Sequence, residues 1–275
     1  MNIVCYESPS IDSVYHVTTQ TYTENHYFEF TGAPSINEHI IINDNCALIS
    51  FEIDGKIYEY DGDLVCGKFT HVPKIKIIFK DTNKKLLIIR VTSCGLFSLT
   101  DMPVSSIVNS VLPGSIVNFE MEIENEQDRC IRFVDLDNEK ICKDKSYCIT
   151  HDIIRYVHDN FTHLPTNATK EIAQKFAISE SSLRRYFKKY LGINLSTYIM
   201  TIKRKKMVKA IFEENYDSLI VRENGYYDQS HFLNDFKRIY GVPLKQYAKE
   251  LRLMKKREPE LMQFLYHCNI ESNLE

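Results

Sequence analysis

A short run of residues, from Ser181 to Leu191, combines hydroxyl and cationic side chains with an apolar repeat. Leu183, Phe187 and Leu191 recur four residues apart, which is the spacing of one face of an α-helix. The polar side chains fall on the opposite side of the same helix: Ser181, Arg184, Arg185 and Lys188. A guanidinium group can donate two parallel hydrogen bonds to guanine O6 and N7, or it can grip a phosphate. The chemistry that this helix offers is therefore hydrogen bonding to base edges and phosphates.

The residues before this helix predict a short partner for it. Thr169–Gly192 divides into helix, turn and helix, and Ala173 is small enough to let the two helices cross closely. Ser179 is placed to cap the second helix through its hydroxyl. A helix with a polar outer face, held at an angle by a short partner helix, suits the DNA major groove.

These residues resemble the first helix-turn-helix of AraC/XylS-type transcription regulators. The resemblance continues to about Leu251, because Ile193–Glu214 is similar to the linker helix of that family and Gly225–Tyr247 is similar to its second helix-turn-helix. The second stretch, GYYDQSHFLNDFKRIYGVPLKQY, is highly specific and lies at the expected distance from the first. The resemblance implies a bacterial transcription regulator, an activator or a repressor, that binds double-stranded DNA.

The candidate DNA contacts belong to two recognition helices and the helix between them. We expect the first recognition helix to contribute Ser181, Ser182, Arg184, Arg185, Lys188 and Lys189, and the second to contribute Gln229, Ser230, His231, Asn234, Lys237 and Arg238. The amides of Gln229 and Asn234 can pair with adenine, whereas the lysines and Arg238 suit phosphates, which fix position without reading sequence. Three alternatives stay open: the two serines as ordinary first-turn residues, His231 as a packing histidine, and the arginines as ordinary surface side chains.

The linker helix carries the run Lys203-Arg204-Lys205-Lys206. We expect Lys203 and Arg204 to contact phosphates, and a solvated helix face is the alternative. A helix of about 20 residues spans about 30 Å, and successive major grooves on one side of B-DNA lie about 34 Å apart. One stiff helix could therefore place two recognition helices in adjacent grooves without dimerisation.

The second motif departs from the family pattern in several places. Asp217 and Val221 stand where the family has an apolar residue and an alanine, Asn234 stands where an arginine is common, and Pro243-Leu244 replaces a small residue followed by proline. Losing one arginine contact costs about 1–3 kcal/mol. The motif still has an inward apolar set, Phe232, Phe236 and Tyr240. We expect it to fold but to hold DNA less tightly, which leaves a protein-interaction co-regulator as the alternative function.

The first half of the chain reads as short strands. Ala47–Ile53 and Lys56–Tyr60 alternate around Asp54-Gly55, which is a strong hairpin signal. Lys74–Lys80 alternates as well, and Lys84–Val91 is more continuously apolar. Such strands predict a sandwich or barrel. Asp101–Leu112 has apolar residues at helical spacing and predicts a short helix; strand, glycine turn and helix together resemble the N-terminal domain of one branch of AraC-like regulators.

Charge divides the chain in the same way. Residues 150–258 hold 21 Lys and Arg against 12 Asp and Glu, a balance of +9, whereas residues 1–149 hold 13 against 22, a balance of −9. A basic half joined to an acidic half predicts nucleic acid as the partner of one half only. We expect an α+β protein: a β-rich regulatory domain at 1–145, an all-α DNA-binding domain with two helix-turn-helix motifs at 146–251, and a tail at 252–275.

Other classes of function find little in the sequence. Paired carboxylates, a phosphate-binding glycine loop and Ser/His/Asp spacing do not stand out, and the eight cysteines include no C-x-x-C pair. We therefore expect no enzyme activity, no metal and no cofactor. No signal peptide or membrane span is visible, so the cytoplasm is the expected location and a membrane is not an expected partner. The candidate partners besides DNA are a small-molecule effector at the N-terminal domain, RNA polymerase and a second copy of the chain.

Overall fold

The computed structural model describes residues 2–3, 11–17, 23, 25–81, 86–100, 102–117, 119–125, 130–135, 144–165, 167–213, 221–222 and 226–257. The chain forms a β-rich N-terminal part followed by a helical C-terminal part, as the sequence predicts. None of the described helices is long and apolar enough to cross a lipid bilayer. The proposed tail begins inside a helix that continues to Arg257, and residues 258–275 lie outside the described residues.

Twelve described strands build the N-terminal part. They are β1 (Asn2–Ile3), β2 (Ile11–Val17), β3 (Tyr27–Thr31), β4 (His39–Ile42), β5 (Ala47–Ile53), β6 (Lys56–Tyr60), β7 (Leu64–Cys66), β8 (Lys74–Phe79), β9 (Leu86–Val91), β10 (Val111–Pro113), β11 (Phe119–Asn125) and β12 (Cys130–Asp135). One sheet has the order β1-β2-β9-β4-β7-β10, a second has the order β3-β8-β5-β6, and β11 pairs with β12.

Local sequence explains the best predicted strands. The hairpin of β5 and β6 is confirmed, with Asp54 and Gly55 both at positive φ in its turn. In β5 the residues alternate between buried and half-buried, because one face of the strand packs in the core. In β9 all six residues are buried, as a continuously apolar strand requires.

The helix predicted over Asp101–Leu112 is wrong. The described residues of this stretch form a single 3-10 turn at Val104–Ser106, and the chain then enters β10. Asn109 adopts a positive φ of 53°, which interrupts any helix, and Val111 pairs with Cys66 of β7. The helix of this region instead lies earlier, at α1 (Gly95–Leu99).

Six further helices have their bounds within the described residues of the C-terminal part. They are α2 (Lys145–Asn160), α3 (Thr169–Lys175), α4 (Glu180–Leu191), α5 (Leu195–Phe212), α6 (Gln229–Tyr240) and α7 (Leu244–Arg257). Ile153 and Val157 of α2 are fully buried in the same apolar cluster as α3 and α4, so α2 packs under the first motif.

The two recognition helices, α4 and α6, begin and end in the same way. Ser179 caps α4 by accepting a hydrogen bond from the backbone N–H of Ser182, and Asp228 caps α6 by accepting one from His231. Gly192 and Gly241 end the helices in the left-handed conformation, with φ of 74° and 72°. The cap that the sequence predicts at Ser179 is confirmed.

The helix between the two motifs, α5, is enclosed by the rest of the protein. Every residue from Leu195 to Ile211 is buried or half-buried. Tyr198 and Ile199 belong to the apolar cluster of the first motif, and Met207 and Val208 belong to that of the second. A helix that is covered on all sides lies inside the molecule. The helix α5 is therefore part of the core of both motifs and is not an exposed connecting helix.

Candidate nucleic-acid interface

The first recognition helix separates its apolar and polar residues as predicted. Leu183, Phe187, Tyr190 and Leu191 are buried, whereas the polar side chains point outward: Ser181, Arg184, Arg185, Lys188 and Lys189. The side chain of Arg184 is 69% exposed and forms an exposed ion pair of 3.1 Å with Glu180. Such exposed pairs contribute at most about 1 kcal/mol, so Glu180 is a weak competitor for the guanidinium.

Ser182 and Lys188 take part in the ends of α4. The backbone N–H of Ser182 donates to the capping oxygen of Ser179, and the two hydroxyl groups lie 2.9 Å apart. Lys188 donates to the carbonyl oxygen of Gly192 over 3.2 Å. Ser182 is therefore part of the cap, while Ser181 beside it is exposed.

Lys189 is held by neighbours within the protein. Its Nζ donates to the Tyr190 hydroxyl and to Asp144 Oδ2, both over 2.9 Å, and it lies 5.5 Å from the ring centre of Phe97. The hydrogen bonds with Tyr190 and Asp144 raise the pKa of Lys189. Asp144, the Tyr190 hydroxyl and the Phe97 ring already occupy the surroundings of this ammonium group, which argues against the predicted phosphate contact.

The second recognition helix also has one buried apolar face and one exposed polar face. Phe232, Phe236 and Tyr240 are buried and stack in series, with Phe236 and Tyr240 centred 4.1 Å apart. The exposed side chains include all six residues predicted to contact DNA: Gln229, Ser230, His231, Asn234, Lys237 and Arg238. The His231 ring lies edge-on to Tyr226 at 5.5 Å, so this side chain combines packing with exposure.

Tyr227 is a surface residue that the sequence analysis does not place in the candidate interface. It is 86% exposed and directly precedes Asp228, the cap of α6. Its exposure could not be read from the sequence, because Tyr226 beside it is buried and has the same side chain.

Arg204 is wrongly predicted as a phosphate contact. Its guanidinium donates to Asp235 Oδ2 over 3.0 Å and to Oδ1 over 3.2 Å, and the two side chains are only 13% and 10% exposed. Arg238 and the Tyr226 hydroxyl complete the cluster at 2.6 and 3.2 Å from the same carboxylate. Burial tends to raise the pKa of Asp235, but the hydrogen bonds and charge of Arg204 outweigh it and lower the pKa. This cluster joins the linker helix to the second recognition helix.

Lys203 is the second wrong prediction on the linker helix. It is 2% exposed, its Nζ donates to the carbonyl oxygen of Leu164 over 2.7 Å, and burial lowers its pKa. Lys205 is also buried, and Lys206 lies over the Phe161 ring. The physical reason is the enclosure of α5, which local sequence does not reveal.

The C-terminal helix α7 carries a basic stripe on a different side of the molecule. Lys245, Lys249, Arg252 and Lys256 are exposed at spacings of three and four residues, opposite the buried Leu244, Tyr247 and Leu251. Tyr247 packs against the inward-facing Phe236 and Tyr240 of α6. The stripe therefore points away from the exposed side of α6, and we leave it out of the interface.

Two other kinds of site find no support in the part of the chain that the structure describes. Among these residues no group of three or more His, Cys, Asp or Glu side chains is arranged to hold a metal ion. Burial raises the pKa of the Cys66 and Cys94 thiols, which makes them poor nucleophiles. Cys142, which could form a redox pair with Cys148, lies outside the described residues.

Comparison with known proteins gives one family match and several structural neighbours. Residues 172–250 match the model of a helix-turn-helix domain, and a search of curated proteins found no match. Among solved structures, ToxT from Vibrio cholerae aligns with 86% of this chain and 96% of its own, at 10% identity and a TM-score of 0.42. ToxT with bound unsaturated fatty acid, from Vibrio cholerae strain SCE256, aligns over 86% and 93% at 11% identity and a TM-score of 0.39.

The AraC-like transcriptional activator CuxR aligns more loosely, over 72% of this chain and 76% of its own, at 14% identity and a TM-score of 0.28. The identification therefore depends on the family model, which spans all but the first three residues of the first motif, all of α5 and the second motif. Residues 172–250 of this chain are an AraC-type helix-turn-helix domain, which belongs to a family of transcription regulators.

Proposed function

We propose that this protein is a sequence-specific DNA-binding transcription regulator whose recognition helices, α4 and α6, enter two adjacent major grooves. The observation that carries the proposal is their common construction. Each helix is capped by a side chain, buries an aromatic face and exposes a row of polar side chains, and both are packed against the one enclosed helix α5. Two recognition helices of the same construction, packed against one helix, suit two successive major grooves of DNA.

Base recognition is assigned to exposed side chains that can form two parallel hydrogen bonds with one base, namely guanidinium groups and amides. Arg184 and Arg185 suit guanine, and Gln229 and Asn234 suit adenine. Ser181, Ser230 and His231 lie in the first turns of their helices, the end of a recognition helix that comes closest to base edges.

Phosphate contacts are assigned to Lys188, Lys237 and Arg238, which are exposed near the C-terminal ends of the two helices. Ser182 remains a candidate through its hydroxyl. Lys203 and Arg204 are removed from the set because Leu164 and Asp235 hold them inside the protein, and Lys189 is removed because it is already paired with Asp144 at the surface. Phosphate contacts supply affinity that depends on salt, so a smaller set predicts a shallower salt dependence.

The β-rich part is proposed to receive the regulatory signal. A small-molecule effector, a second copy of the chain and RNA polymerase are its candidate partners, and the effector would act by changing how this part packs on the helices. A regulator of this kind acts where the chromosome lies, so the cytoplasm is the proposed location. The co-regulator alternative gains no support, because the second recognition helix is capped and packed as regularly as the first.

The test is competitive binding to DNA at about 150 mM salt, where non-specific contacts are weakened. A fluorescent duplex recovered from a random pool is competed with itself and with a scrambled duplex of equal length. We expect the scrambled duplex to compete at least about 1000-fold less well, the lower end of specific recognition. Equal competition by both duplexes would refute specific reading. In the triple variant Arg184→Ala, Arg185→Ala, Gln229→Ala, the selected and the scrambled duplex should compete equally well, although the variant keeps its fold.

A further inference from the structure

The β-rich part contacts the first helix-turn-helix at the end of its recognition helix. Gly192, which ends α4, packs against the turn at Val104–Ser106: a Cβ atom added at this glycine would lie 2.8 Å from Val108 and 2.9 Å from the carbonyl oxygen of Val104. Phe97 of α1 packs edge-on against Tyr190 of α4, with ring centres 4.8 Å apart. The C-terminal end of α4 is thus held between the β-rich part and its own core.

A polar junction joins the same two parts through the linker helix. The hydroxyl of Tyr198, which is fully buried, lies 3.0 Å from Ser93 Oγ in the β-rich part and 2.8 Å from His158 Nε2 in α2. The carbonyl oxygen of Ser93 accepts a hydrogen bond of 3.1 Å from Lys68, and Lys68 forms a buried ion pair with Glu38. One tyrosine of α5 therefore connects the β-rich part with α2.

The β-rich part also contacts the second helix-turn-helix. The first and second helix-turn-helix motifs are called the first and second unit below. Its core residues Phe30, Phe51 and Phe69 belong to one continuous apolar cluster with Met207 and Ile211 at the C-terminal end of α5. The buried faces of α6 and α7 belong to the same cluster. Because Ile36 and Cys94 of the β-rich part belong to the cluster of the first unit, this part packs against both units.

The exposed sides of the two recognition helices stay uncovered in this arrangement. Arg184, Arg185, Gln229 and Asn234 are all exposed although the β-rich part packs against the other side of both units. Its effect on DNA binding therefore does not come from covering the DNA-contacting side chains. What it can change is the distance and angle between the two helices.

We propose that the β-rich part is a brace that fixes the spacing between the recognition helices, and that the contacts of Gly192 and Tyr198 are where it engages the first unit. The proposal rests on the proposed two-groove function. When the two recognition helices are already held at the right distance, less conformational entropy is lost on binding, and DNA sites with a different spacing bind less well. If the packing of the β-rich part is weakened, each recognition helix still binds its own half-site, and the protein tolerates a changed spacing between the two half-sites.

Two matched glycines provide the test. Gly192→Ala and Gly241→Ala place the same strain on a left-handed helix end, but a Cβ at position 192 meets Val104 and Val108, whereas one at position 241 meets nothing within 4 Å. Affinities are measured for the full chain on three duplexes: the selected site, the same site with one base pair inserted between the half-sites, and a single half-site. Urea unfolding of both variants confirms that they fold.

We expect Gly192→Ala to reduce the discrimination against the inserted base pair by about fivefold or more, and Gly241→Ala to leave it within about twofold, with half-site affinity preserved in both. Equal discrimination in the two glycine variants would overturn the brace. If the wild-type protein binds the full site no better than a half-site, the two-groove function itself fails, which is a different result.

A second pair of variants covers the case in which Gly192→Ala does not fold. Tyr198→Phe removes the hydroxyl that joins Ser93 to His158. Tyr156→Phe is the control, because this tyrosine packs against Phe176 inside the helical part. We expect increased tolerance of the inserted base pair only in Tyr198→Phe. The same tolerance in both tyrosine variants, or in neither, would overturn the role of the junction.

Discussion

Arg204 of the linker helix and Asp235 of the second recognition helix are joined by two hydrogen bonds of 3.0 and 3.2 Å in a place that solvent scarcely reaches. The pair fixes the rotation of α6 against α5, because a guanidinium and a carboxylate that bind through two bonds tolerate little change in angle. Arg204 therefore acts on DNA binding through the position of α6.

The first prediction follows from this pair. Arg204→Met should lower the free energy of unfolding by about 1–3 kcal/mol, because it leaves a largely buried carboxylate with fewer donors. Arg238→Met should cost less, since its side chain is 67% exposed. Urea unfolding of both variants measures the difference. Equal losses would mean that the two bonds of Arg204 contribute nothing beyond a surface contact.

The second prediction concerns base reading by the first motif. Arg184→Ala should weaken binding to the selected site by about 1–3 kcal/mol while binding to scrambled DNA changes much less. Arg155→Ala in α2 is the control, because it removes another exposed arginine of the same domain. Fluorescence anisotropy on both duplexes gives the two affinities. A uniform loss on both duplexes would show that Arg184 contacts phosphate and does not read bases.

The third prediction separates exposed cations from enclosed ones. Lys237→Met should reduce the slope of log Kd against log salt by about 0.9, the value for one phosphate contact on B-DNA. Lys203→Met should leave the slope unchanged, because its Nζ is already bonded to Leu164 inside the protein. A reduced slope in Lys203→Met would restore this residue to the phosphate contacts.

The fourth prediction is a dependence on pH. Burial tends to raise the pKa of Asp144, but hydrogen bonds from Ser146, Tyr190 and Lys189 lower it well below its ordinary value. A carboxylate whose pKa is lower in the folded state stabilises the fold above its unfolded pKa of about 4 and loses that contribution as pH falls further.

Asp144→Asn should therefore be less stable than wild type at pH 7, and the gap should shrink as pH falls from about 4 towards 2. Asp152→Asn is the control, since Asp152 is exposed and faces only a distant Arg155. Urea midpoints at several pH values measure the gap. A gap that is constant with pH would mean that the charge of Asp144 makes no contribution.

Local sequence was enough to predict the elements whose own residues determine them. Ser179 and Asp228 cap their helices because the hydroxyl or carboxylate lies next to the first turn, and Asp54-Gly55 turns β5 into β6 because both residues accept a positive φ. The helix predicted over Asp101–Leu112 failed for the opposite reason. Its apolar spacing is helical, but Val111 gains more from pairing with β7, a contact far away in the chain.

The site shows the same division. The outward direction of Arg184 and Gln229 follows from helical spacing, so sequence alone predicts it. The enclosure of Lys203 and the pairing of Arg204 with Asp235 depend on residues about 30 to 40 positions away in the chain, and charge runs on helices usually face solvent. No local pattern distinguishes a basic run on a surface helix from the same run on a shared core helix.

The most direct test of the account is selection of bound sequences from a random DNA library by the full-length chain. Two reading helices in adjacent grooves predict two conserved blocks whose centres lie about one helical turn, 10–10.5 base pairs, apart. Arg184→Ala should relax one block and Gln229→Ala the other. A single short block that both substitutions weaken equally, or no enriched sequence at all, would contradict the account.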